Sequence, residues 1–72
     1  MNEVKIYMIK EIKIKIIDVL KEMNESKATI LGVIAFLKKE EDAKAMLEWL
    51  EKNKNNNLTT HEIIDHLDLL TM

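Results

Sequence analysis

Seventy-two residues with no cysteine, eleven lysines, no arginine and a net charge of −2 exclude a disulfide framework and a thiolate metal site, and they argue against nucleic acid as a partner. Arginine is the side chain best suited to bidentate contacts with guanine and phosphate, and neither half of the chain carries a basic footprint. A chain this short buries only about 60% of its unfolded surface, so a single helical domain over residues 1–72 is expected, of a size that commonly relies on a staple or a partner.

The apolar supply is generous. Hydrophobic residues make up 47% of the chain, with ten Ile and nine Leu but one Phe, one Trp and one Tyr. So much aliphatic surface in a small chain points to a well-filled core, a dimer, or a groove for a partner helix. The first fifteen residues mix Val4, Ile6 and Ile9 with Lys5, Lys10, Glu11 and Lys13, which is no signal-peptide pattern. A cytoplasmic protein with no membrane partner is the expectation.

Residues 3–23 carry two patterns. Ile9, Ile12, Ile16, Val19 and Met23 recur at steps of three and four, one stripe of an amphipathic helix. Residues 12–16, IKIKI, alternate strictly and are rich in β-branched side chains, which is a strand signal. The length of the segment, its lack of Gly or Pro, and the want of a second strand to pair with favour helix. Ile6, Ile14 and Ile17 widen its apolar face beyond one stripe and are candidate interface residues.

Residues 28–37, ATILGVIAFL, contain no charge. They predict a short helix that is apolar all round and must be covered on several sides, and ten residues cannot cross a bilayer, which takes about 20. Asn24 or Ser26 can cap this helix. Gly32 in its middle costs about 1 kcal/mol relative to Ala, for which close approach of a neighbouring helix is the expected reason. Lys38 and Lys39 suit a helix end, and Glu40, Glu41 and Asp42 suit a helix start, so a break near residues 38–40 is favoured over one helix running on to residue 52.

A third helix over residues 40–52 places Ala43, Met46, Leu47 and Leu50 on one face with Trp49 beside it. Trp49 is either an interface anchor or the ordinary large residue of a small core. KNKNNN, residues 52–57, is a polar loop whose asparagines tolerate left-handed backbone. Thr59 with Glu62 forms a capping box, and Leu58 with Ile63 can make the accompanying hydrophobic staple. The last helix then buries Ile63, Ile64, Leu67 and Leu70 and leaves His61 and His66 on a solvated face. The fold class is all-α: a small bundle of about four short helices around a central apolar helix, residues 28–37.

Residues 51–62, EKNKNNNLTTHE, resemble the twelve-residue calcium loop of EF-hand proteins. The resemblance implies oxygen ligands from Glu51, Asn53, Asn55, the Asn57 carbonyl, Thr59 and the bidentate Glu62, with Leu58 in the central aliphatic position. Glu51 stands where Asp is usual and Asn56 where Gly is usual, and no second loop of this type is present. The plainer reading is a polar connection closed by a capping box, with no metal and no cofactor.

His61, Glu62 and His66 do not form a zinc-protease motif, which needs two His one helical turn apart; Asp65 holds that place. With one serine and no Gly-rich loop, no enzyme is expected. The leading functional expectation is a protein–protein interaction module, a homodimer or the binder of another protein, of the kind found among small accessory and regulatory proteins of bacteria or phages. A degenerate calcium-binding helix–loop–helix is the alternative. A small helix-turn-helix regulator over residues 41–70 ranks last, because its reading helix would carry Glu62, Asp65 and Asp68 and no lysine.

Overall fold

The ambiguity of residues 12–16 resolves into helix. Ile12 and Ile16 are four apart and share a face, where Ile16 is fully buried and Ile12 half-buried; Ile14, between them, points away and is 51% exposed. The computed structural model describes the backbone of residues 2–72 and the side chains of residues 9–72. These residues form four helices and no strand: α1 (Asn2–Glu22), α2 (Lys27–Phe36), α3 (Glu40–Asn53) and α4 (Thr60–Thr71). The all-α bundle expected from the sequence is the fold.

Each boundary has a local cause. α1 ends in a Schellman motif: Asn24 takes φ 61°, its N–H donates to the Lys21 carbonyl, and the Glu25 N–H donates to the Leu20 carbonyl, both at 3.0 Å. Ser26 then caps α2, its Oγ accepting from the Thr29 N–H at 3.2 Å. α2 stops at Leu37, whose backbone leaves the helical region (φ −89°, ψ 89°) while its side chain is fully buried. Glu40, Glu41 and Asp42 occupy the first turn of α3, where the helix dipole favours them. Asn57 supplies the left-handed residue of the following loop, at φ 55°. The capping box closes as read: the Glu62 N–H donates to Thr59 Oγ1 at 3.1 Å, and the Thr59 N–H donates to Glu62 Oε1 at 3.0 Å.

α1 is the spine. Its 21 residues span about 32 Å of a molecule whose longest dimension is 38 Å, and its contact with α3 is the most extensive in the bundle. Ile16, Leu20, Leu37, Met46, Leu50, Ile63 and Val33 are the largest fully buried side chains and belong to one cluster fed by all four helices and the α2–α3 turn. Two polar ties hold the ends: Lys54 Nζ lies 3.5 Å from Glu22 Oε2, and the Thr60 hydroxyl donates to Glu25 Oε1 at 2.7 Å.

The cover over α2 is thinner than its composition requires. α2 packs against α1 and α4 and buries Ile30 and Val33, but Leu31 and Phe36 remain 60% and 64% exposed. Ile64, expected inside, is 43% exposed because the buried face of α4 centres on Ile63 and Leu67. Gly32 is also corrected: among the described residues, a Cβ built there meets nothing within 4 Å outside its own helix turn, so none of these packing neighbours requires the glycine. Gly32→Ala is therefore expected to stabilise the isolated fold by about 0.5–1 kcal/mol through helix propensity alone. A urea titration checks this, and a loss of stability would mean that the glycine serves the monomer after all.

Candidate functional site

Of the large apolar side chains left exposed among the described residues, Phe36 and Ile64 line one groove, between α2 and α4, while Ile14, Leu31, Leu69 and Met72 do not line it. The two helices part enough to form a groove of about 290 Å³, lined by Ala28, Thr29, Gly32, Val33 and Phe36 from α2 and by Ile64, Leu67 and Asp68 from α4. Val33 and Leu67 are buried and lie in its floor. Gly32 contributes no side chain, so the floor is open one helical turn from Phe36. Phe36 and Ile64, both exposed, form the walls.

The two helices that make the groove carry opposite charge. Residues 27–39 contain Lys27, Lys38 and Lys39 and no acid, whereas residues 60–71 contain Glu62, Asp65 and Asp68 and no lysine. Asp68 lines the groove itself. Such a face can bind an apolar helix and can orient it by charge. Neither Gly32 nor Phe36 stood out in the sequence as a surface residue. The available signal was a helix apolar all round in a chain too short to cover it.

The sequence-derived interface candidates lie elsewhere. Ile14 is exposed on α1, while Ile17 is half-buried and packed against the core; the side chain of Ile6 lies outside the described residues. Trp49 is half-buried against the core and stacks on His66, with ring centroids 4.0 Å apart and planes 7° from parallel. His66 is thus not on the solvated face expected for it: α3 presents the Trp49 ring to α4 at the level of His66. Burial lowers the His66 pKa below its ordinary 6.5.

A pH dependence follows from that shift. The folded state resists protonating His66 while the unfolded chain accepts the proton in the ordinary range, so below that range the unfolded state binds more protons. This contribution to stability is full above pH 6.5 and is lost as pH falls through the lowered value. Urea midpoints taken between about pH 7.5 and about pH 5.5 are expected to fall on acidification, and to fall less in His66→Gln. An equal slope in the two proteins would refute the assignment.

The residues of the calcium-like stretch are distributed over two helices and a loop. Glu51 and Asn53 belong to the last turns of α3, and Thr59 and Glu62 to the start of α4. The Asn53 amide donates to the Trp49 carbonyl at 2.8 Å, and Asn53 Oδ1 accepts from the Asn56 amide at 3.3 Å. Thr59 and Glu62 are engaged with each other, while Asn55 and Asn57 are exposed. His61 Nε2 approaches Asp65 Oδ2 at 3.3 Å, with both side chains largely in solvent. Among the described residues no group of three or more His, Asp or Glu side chains is placed to hold a metal ion, and no helix is long and apolar enough to cross a membrane. No family model matches the chain, and neither a curated protein nor a solved structure matches it.

Proposed function

We propose that this chain is a protein–protein interaction module that works through the α2–α4 face, as a small accessory or regulatory protein and not as an enzyme. The observation that carries this reading is the pair of exposed Phe36 and Ile64 beside an open groove, in a bundle whose other large apolar residues are, among the described residues, mostly packed into one core. Contiguous apolar surface is what soluble monomers avoid and what interfaces use. The exposed acids of α4 and the absence of arginine weigh against a helix that reads duplex DNA.

The test combines light scattering across a concentration series with binding of an apolar dye. Either self-association, or a monomer whose face takes up the dye, is expected, and Phe36→Asp should abolish whichever is seen without unfolding the chain. A monomer that binds no dye, and that Phe36→Asp leaves unchanged, would remove the reading.

A further inference from the structure

We infer that the occupant of the α2–α4 groove is a second copy of this chain, bound about a two-fold axis with the two α2 helices antiparallel, so that Phe36 of each copy seats over Gly32 of the other. The inference rests on the interaction-module reading and supplies its partner.

Two observations support it. First, α2 carries both halves of a self-complementary pair. Phe36 is the largest apolar side chain standing exposed on the groove, and Gly32, four residues earlier on the same ridge, is the one groove position without a side chain. A two-fold interface matches a patch to itself, so residue i meets j and j meets i. A protrusion and an open position one turn apart meet this condition when two copies of the helix run antiparallel. Gly32 is open to such an approach, since among the described residues nothing outside its own helix turn lies within 4 Å of the position of a Cβ.

Second, the charges agree with a like partner. A copy of α2 lying in the groove brings its flanking Lys27, Lys38 and Lys39 towards Asp68, the acid that lines it, and the symmetry repeats this attraction on the other side. α4 lying on α4 would instead place acid against acid. The antiparallel α2 pairing keeps the two acidic helices at the outer edges.

The experiment is sedimentation equilibrium on the full chain and two variants, with a thiol cross-link as register. The wild type should show a concentration-dependent dimer. Phe36→Asp should remain monomeric, and Gly32→Leu should weaken the dimer by about tenfold or more while each monomer keeps its helical signal, because both positions face open space in one copy. The chain has no cysteine, so a mixture of Gly32→Cys and Phe36→Cys chains tests the register directly: the mixed disulfide should form faster than either symmetric one. A dimer that neither variant weakens, or preferential symmetric cross-links, would overturn this pairing while leaving self-binding intact. A wild-type monomer at millimolar concentration would also overturn it. If that monomer still takes up the apolar dye, the face belongs to a different protein and the interaction-module reading survives.

Discussion

Leu50→Ala should lower the unfolding free energy by about 3 kcal/mol, within the range for buried leucines. Leu50 is fully buried in the core cluster, on α3, whose contact with α1 is the most extensive of the bundle. Truncation removes transfer free energy and leaves a cavity between two helices that other contacts hold in place, so the site cannot collapse freely. For 72 residues the whole stability is about 4–11 kcal/mol, and a loss of this size shifts the urea midpoint by a large fraction. The slope of the transition should not change, since the surface exposed on unfolding is nearly the same. Leu69→Ala is the matched control: Leu69 is 71% exposed, and its truncation should stay within about 0.5 kcal/mol. Both belong at one fixed protein concentration, because self-association adds to apparent stability by mass action. Equal effects at the two positions would show that burial of Leu50 in the core does not hold the fold.

Much of this fold could be read from short-range chemistry. Thr59 and Glu62 announce the start of α4 because a capping box needs only residues three apart. KNKNNN announces a loop because asparagine accepts the φ of 55° that Asn57 adopts. The alternation of residues 12–16 was readable as helix only by extending the window to Val19 and Met23, where the period of three and four continues. What the sequence did not contain is the identity of each helix's neighbour. Every face of α2 is apolar, so nothing in residues 28–37 marks Ile30 and Val33 as the buried pair and Leu31 and Phe36 as the exposed one. Gly32 was expected to admit a neighbouring helix, and among the described residues none comes close to it. Ile64 and Ile63 are adjacent and chemically identical, and only the rotation of α4 on the core separates the buried one from the one on the groove.

The same limit shaped the reading of the candidate site. A lone tryptophan in an aliphatic chain suggests an anchor, but whether its ring faces a partner or the fold depends on what α4 brings opposite it. Within the chain α4 brings His66 there: its ring lies flat against Trp49, and both residues are half-buried. The calcium-like spacing of residues 51–62 was likewise visible, whereas the hydrogen bonds that engage Asn53, Thr59 and Glu62 depend on where α3 ends. Local chemistry set the helices and tertiary rotation set the surface, and any function that resides in the surface inherits that second, long-range determination.

Trp49→Ala is the second large effect, and it separates a folding residue from a binding one. Full burial of a tryptophan is worth about 3–5 kcal/mol on truncation to Ala; for the half-buried Trp49 about 2–3 kcal/mol is expected. Part of this loss is the stack on His66, so a double-mutant cycle with His66→Ala should give a coupling of about 0.5–1.5 kcal/mol. The rings stack nearly parallel at 4.0 Å, where contact area exceeds that of an edge-on pair, and removal of either ring leaves the other without its apolar cover. Trp49 does not line the α2–α4 groove, so the self-association of Trp49→Ala, measured where the variant is still folded, should match the wild type. Phe36→Asp should behave in the opposite way, with stability kept and association lost. If Trp49→Ala instead left stability alone and abolished association, the anchor role suggested by its rarity would hold, and the interface would lie on the α3–α4 side of the bundle. The two variants divide the surplus apolar surface into what the fold consumes and what it offers, because each removes one large ring from one side of α4.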